Sequence, residues 1–189
     1  MINENIIELQ KYLNVTPDGL WGSKSTEAAQ NHLRKLMSKA DKAPNTDQTS
    51  LTKAYGKPGD ESNLINLDVT GLGVKYDGKT VNTVRCNKAC AESLKLIITE
   101  LSTFPEGRYV LSKYAGCYNN RPMRGGTTPS LHARGAAIDL DPDTNRMRQN
   151  WPTSATMPFS VMEVFAKYGW LSAGAFWARD AMHFQRTVE

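Results

Sequence analysis

The sequence predicts an α+β fold, and three observations predict it. Two stretches near the N-terminus and two further along carry apolar residues at helical spacing. Short alternating segments elsewhere read as strands. The two kinds of segment do not alternate in the βαβ manner that a parallel sheet requires.

In chain order, residues 3–13 place Ile6, Ile7, Leu9, Gln10 and Leu13 on one helical face. Thr16-Pro17-Asp18-Gly19 is a turn signal, because proline presets φ and glycine supplies the left-handed conformation. A second helix is expected after Ser23 or Ser25 as cap, with Ala29, Leu33 and Leu36 as its apolar stripe. These elements define an N-terminal helical module over residues 1–38. Residues 39–50 are polar and rich in Asp, Thr, Asn and Pro, which reads as a linker. The main domain is expected over 51–189.

Within it, residues 73–81 read as a hairpin turning at Asp77-Gly78. Residues 87–103 read as an amphipathic helix, with Leu94, Ile97, Ile98 and Leu101 inward. Pro105-Glu106-Gly107 is expected to end it, and Tyr109-Val110-Leu111 to begin a strand. Further strands are expected at 136–140 and 182–185, and a helix at 159–168 closed by Gly169.

Composition narrows the functional classes. The 189 residues carry 23 basic and 19 acidic side chains, a formal charge of +4. No Lys/Arg run resembles a phosphate-tracking patch, so no nucleic-acid partner is expected. No apolar run approaches the ~18 residues needed to span a bilayer, so membrane insertion is not expected. The start, MINENIIELQ, lacks the pattern of a signal peptide. Three cysteines, Cys86, Cys90 and Cys117, are too few and odd in number for a disulfide framework, and read as buried, inert thiols.

The chemistry concentrates in two short stretches. Of three histidines, His132 and His183 each stand near carboxylates: Ser130-Leu-His132-Ala-Arg-Gly135-Ala-Ala-Ile-Asp139, and Asp180-Ala-Met-His183-Phe. Asp139 lies between Ile138 and Leu140, and His183 between Met182 and Phe184. On strands, this alternation sends the apolar neighbours to one face and the polar residue to the other. Two such strands side by side present Asp139 and His183 on one wall. His132 joins from the preceding loop, where Gly135 permits a tight turn. Two imidazoles and one carboxylate form a three-ligand set that leaves a fourth position for water, the pattern of catalytic zinc. Zinc makes water a usable nucleophile near neutral pH. Asp180, three residues before a ligand, is the expected general base and then acid. Arg121, then Arg124, are the candidates for the positive group facing the developing oxyanion.

Other candidates are weaker. Asp139, Asp141, Asp143 and Asn145 are spaced like a calcium loop, but the central Gly and terminal Glu are missing. His32 falls on a polar helix face and reads as solvated. Trp151, Trp170 and Trp177 are candidates for a groove wall or for core packing. Arg124, Ser130 and Trp177 are carried as substrate-binding residues.

The pattern Ser130-x-His132-x-x-Gly135-x-Ala137-x-Asp139, followed by Asp180-Ala-Met-His183-Phe, resembles the zinc peptidases of the D-alanyl-D-alanine carboxypeptidase and L-alanyl-D-glutamate endopeptidase family. Gly116-Cys-Tyr-Asn-Asn-Arg121-Pro-Met-Arg124-Gly resembles one branch of it. The likeness covers residues 105–186 well and 51–104 loosely. It implies a small α+β domain with a central antiparallel sheet, Zn2+ on His132, Asp139 and His183, Asp180 as base, and an arginine, Arg121 first, at the carbonyl. Aspartate rather than glutamate at position 180 leans toward the endopeptidase branch.

Residues Leu9-Gln10, Leu13, Asp18-Gly19, Trp21-Gly22, Thr26, Ala29 and Leu33 resemble a peptidoglycan-binding domain shortened at its end. The resemblance implies wall binding through Asp18, Gly19, Trp21 and Gly22. Together the two likenesses imply a monomeric bacteriophage endolysin. It would be held in the host cytoplasm until released to the wall, would take peptidoglycan as its partner, and would cut the bond between L-Ala and D-Glu. The alternatives are a D-alanyl-D-alanine carboxypeptidase and a wall-binding protein without catalysis.

Overall fold

The computed structural model describes residues 4–188; Asn3, where the first helix is expected to begin, and Glu189 lie outside them. Helix α1 (Glu4–Tyr12) and helix α2 (Ser23–Met37) form an N-terminal pair. Gln10 locks the turn between them. Its side-chain amide donates to Asp18 Oδ1, the Leu20 carbonyl and Ser25 Oγ, and its Oε1 accepts from the Gly19 N–H. Gly19 sits at φ +73°, the left-handed conformation that glycine adopts without strain. The N-cap of α2 is Gly22 rather than a serine, because Ser25 is buried and engaged by Gln10.

Residues 48–50, expected within the linker, form the first turn of helix α3 (Gln48–Tyr55). Asp47 caps that turn by accepting from the Ser50 N–H at 2.9 Å. The preceding stretch is tied to the other end of the chain: the Val188 N–H donates to the Pro44 carbonyl, and Arg186 donates to the Asp41 carbonyl.

Strand β1 (Leu64–Asp68) pairs antiparallel with β4 (Thr83–Asn87), and between them β2 (Lys75–Tyr76) and β3 (Lys79–Thr80) form the expected hairpin. Asp77 and Gly78 both have positive φ, as the favoured two-residue turn requires. Helix α4 (Ala91–Leu101) buries Leu94, Ile97, Ile98 and Leu101. The expected strand at 109–111 is instead the end of helix α5 (Pro105–Leu111). The preceding helix has already stopped at Leu101, and Pro105 starts the next one, because the first helical turn needs no N–H at that position. Gly107 lets α5 lie against the Leu101 carbonyl, which an added Cβ would meet at 2.1 Å.

The main sheet has four antiparallel strands in the order β5 (Tyr114–Gly116), β6 (Ala137–Leu140), β8 (His183–Gln185) and β7 (Leu171–Ser172). Helix α6 (Phe159–Lys167) precedes β7, and the short helix α7 (Ala173–Trp177) follows it. On the inner face of the sheet, Ile138, Leu140 and Phe184 are buried, and Phe165 stacks on Phe184 at 3.8 Å between ring centres. Trp170 is fully buried and belongs to this core, not to a groove. All three cysteines are buried and free. Burial pushes the Cys86 and Cys90 thiols up to about 12, and Cys117 well above its ordinary value, so none is reactive at neutral pH.

The N-terminal pair packs on this body. Ala29 and Leu33 of α2 are completely buried against α6 and α7, within the same apolar core as the sheet. His32 keeps 34% of its side chain exposed but is paired rather than simply solvated. Its Nε2 lies 2.7 Å from Glu163 Oε1, which also accepts from the Tyr12 hydroxyl, and its ring tilts onto Tyr12 and Phe159.

Candidate active site

Strands β6 and β8 pair with Asp139 opposite His183, so both side chains leave the sheet on the same face. His132 arrives from a 3-10 turn, Leu131–Arg134, that precedes β6. Ser130 caps this turn by accepting from the His132 N–H. Gly135 closes it at φ +67°; a Cβ there would meet the Asn87 nitrogen at 2.8 Å. Turn and strand together bring three donor atoms to one point. Asp139 Oδ1 lies 3.2 Å from His132 Nε2 and 3.0 Å from His183 Nδ1, and the two nitrogens are 3.1 Å apart.

The remaining ring nitrogens define what those donors are. His132 Nδ1 sits 2.7 Å from the Cys117 carbonyl, which only accepts, so Nδ1 carries the proton. His183 Nε2 sits 3.1 Å from Gln185 Oε1, whose amide nitrogen is committed to Thr187 Oγ1 at 2.7 Å. His183 Nε2 therefore donates as well. In the neutral rings, the two nitrogens facing Asp139 are bare lone pairs, and they meet a carboxylate oxygen. Three acceptors this close repel unless a cation lies between them. For zinc bonds of ~2.0–2.2 Å in tetrahedral geometry, ligand atoms stand about 3.3–3.6 Å apart, slightly wider than this triangle. The observed triangle fits a metal of that kind, and among the described residues this is the group of His, Cys, Asp and Glu side chains able to hold one.

A proton is the alternative to a cation in this triangle. Burial opposes the Asp139 charge, but imidazoles protonated on the facing nitrogens hold its carboxyl well below the usual carboxylate range. Burial likewise disfavours a proton on His183, yet Asp139 and Asp180 outweigh it and raise that group.

Asp180 enters from the turn before β8, where its carbonyl accepts from the His183 N–H at 2.9 Å. Burial raises its carboxyl above the ordinary value and the Asp139 charge adds to this, while His183, Arg124 and His132 act the other way. Its Oδ1 is buried with no hydrogen-bond partner. Asp180 and Ala178 both stand at positive φ, +57° and +58°, which L residues with a Cβ rarely adopt.

The cleft over these residues holds about 440 Å³, with Trp177, Met123 and Met182 among its apolar walls. The Trp177 ring lies nearly parallel to His183, 5.8 Å between centres, and is 43% exposed. Arg121 and Arg124 both line the cleft. The Arg121 guanidinium is turned to the Pro122 carbonyl at 3.2 Å, whereas the charge of Arg124 reaches Asp180. An adjoining groove of about 720 Å³ continues past Arg124 along Arg146 and Arg148.

Trp151 is not a groove residue: it is 4% exposed, with its indole N–H donating to the Met157 carbonyl. The residues named for wall contact have partners within the chain. Asp18 and Gly19 are bound by Gln10, Gly22 caps α2, and Trp21 meets Trp151 edge-on at 5.3 Å. Asp141 and Asn145 do not form a calcium loop. Asn145 is fully buried; its amide nitrogen donates to Asp141, and its oxygen accepts from the Thr156 and Met157 N–H groups. Sequence reasoning missed Gln185, and weighed Asn145 only as part of a calcium loop or turn. The signal for Gln185 was available, since it shares a strand face with His183.

Residues 124–186 match the family model described as D-alanyl-D-alanine carboxypeptidase. That span contains His132, Asp139, Asp180 and His183, and it supports a zinc peptidase domain around the converging triad. Arg121 and the N-terminal pair lie outside it. No curated protein and no solved structure matches the chain significantly.

Proposed function

We propose that the chain is a zinc-dependent endopeptidase that cuts peptidoglycan stem peptides between L-Ala and D-Glu, in the setting of a phage endolysin. The observation that carries the reading is the triangle of inward-facing lone pairs on His132, Asp139 and His183, with Asp180, whose buried Oδ1 has no hydrogen-bond partner, in the same cleft. His132, Asp139 and His183 would hold the ion, whose Lewis acidity makes water a competent nucleophile at neutral pH. Asp180 takes the proton of the attacking water and returns it to the leaving amine; a carboxyl raised by burial suits both halves of that transfer. Arg121 and Arg124 both stand on the cleft wall, where either guanidinium would face the carbonyl oxygen as charge develops. Trp177 and the methionines exclude water from one side of the cleft.

Cleavage within a polymer needs room on both sides of the scissile bond. The groove running on past Arg124 supports the endopeptidase reading. The likeness of the N-terminal pair to wall-binding modules supports the wall as substrate. No helix among the described residues is long and apolar enough to cross a membrane, which fits a chain that depends on a separate membrane-lesion protein to leave the host cytoplasm. The matched family's description favours one second reading, removal of terminal D-Ala.

Mass spectrometry of purified peptidoglycan after digestion separates these readings. The expected product carries a new N-terminal D-Glu. Release of free D-Ala instead would establish the carboxypeptidase, and no change in the muropeptides would leave only a binding protein.

A further inference from the structure

Asp180 stands in a strained backbone conformation to which its buried Oδ1 contributes no hydrogen bond. Strain of this kind persists only where the surroundings impose it. The segment 178–182 is held at both ends by one loop. The Trp151 N–H donates to the Ala178 carbonyl at 3.1 Å, Asn150 and Arg179 form a β-bridge, and the Met182 N–H donates to the Asn145 carbonyl at 3.1 Å. The Trp151 side chain is in turn clamped between Phe159, stacked at 5.9 Å, and Trp21, edge-on at 5.3 Å. Trp21 comes from the turn between α1 and α2. A second contact from the same helices reaches the other side of the segment: Gln30 Nε2 donates to the Ala175 carbonyl in α7, three residues before Ala178.

We propose that the N-terminal helical pair is part of the catalytic unit, with Trp21 a positioning residue that holds Asp180 in place through Trp151 and Ala178. The proposal rests on Asp180 as the proton-transfer group. It departs from a tethered binder, because a tether raises local substrate concentration without touching the catalytic geometry. A carboxylate displaced by about 1 Å loses up to about a hundredfold in rate.

The test uses the full chain, with Trp21→Ala, Trp21→Phe and Leu33→Ala compared on a soluble stem peptide. Amide hydrogen exchange is followed at Trp151, Met182 and His183. Trp21→Ala is expected to keep its zinc content and its KM, to lose kcat by about tenfold or more, and to exchange faster at those amides. Trp21→Phe keeps an aromatic edge and restores most of both. Leu33→Ala loosens helix α2 without touching Trp151 and leaves kcat within about twofold. If Trp21→Ala does not fold, Trp21→Leu replaces it in both measurements, with the same slower turnover and faster exchange expected. Unchanged exchange at Trp151 and Met182 overturns the proposal, as does an equal loss of kcat in Leu33→Ala. Exchange reads the positioning by itself, so a wild-type chain that cleaves nothing would defeat the peptidase reading and leave this one to be judged separately.

Discussion

The two ends of the molecule are built on opposite principles. The β6–β8 cradle gathers its strongest polar groups in one place: two imidazoles and a carboxylate converge within 3.2 Å, each ring pinned from behind by an oxygen. The α1–α2 pair docks through apolar burial and ring contacts, with Leu33 and Ala29 fully enclosed and a few hydrogen bonds, to Glu163 and Ala175, at its margins. In the first, geometry is fixed by directional bonds and small changes alter chemistry. In the second, contact area sets stability and the chemistry is reached through Trp21 and the Gln30 contact to Ala175. Sensitivity to substitution should therefore differ in kind between the two regions, and not only in size.

The largest effect is expected in the cradle. His132→Ala and His183→Ala should each lose bound zinc and fall to background hydrolysis, while the fold survives, and a chelator should do the same to the wild type until zinc is added back. Metal analysis with an activity assay checks this. Full activity in excess chelator would remove the metal from the mechanism altogether.

Next is the support behind the cradle. Gln185→Leu leaves His183 Nε2 without its acceptor and frees the ring to turn, so zinc affinity should fall about 10–100-fold. Competition with a chromophoric chelator reads this directly, and an unchanged affinity would mean that the strand alone fixes the ring.

The smallest effect on chemistry belongs to the helical pair. Leu33→Ala opens a cavity in a fully buried site and should cost about 2–5 kcal/mol of stability, read by denaturant unfolding, with zinc affinity unchanged. A loss of zinc in that variant would erase the contrast between the regions.

Legibility in the sequence follows the same division. Asp139 and His183 could be read because a strand's two-residue period puts their apolar neighbours in the core and them on the opposite face. His132 could be read because Gly135 marks the turn. Asp180 was readable by its spacing from His183, but not its strained backbone, which no local pattern encodes. The Cys117 carbonyl and Asn145 were hidden for another reason: main-chain acceptors and buried amides gain their meaning only when distant segments close on them. Trp21 and Trp151 lie far apart in the chain, so the pairing that joins the helices to the site left no trace in either stretch. Pro105 misled because a proline read as a helix stop also fits the first turn of a helix, and the cap at Asp47 placed a helix where composition read as linker.

The most direct test of the zinc peptidase chemistry is the zinc content and turnover of Asp180→Ala measured on the same preparation. Zinc should be bound as in the wild type, with turnover lowered by about 10²–10⁴-fold. Zinc lost together with turnover would make Asp180 a ligand, and turnover retained would place the proton transfer on another group.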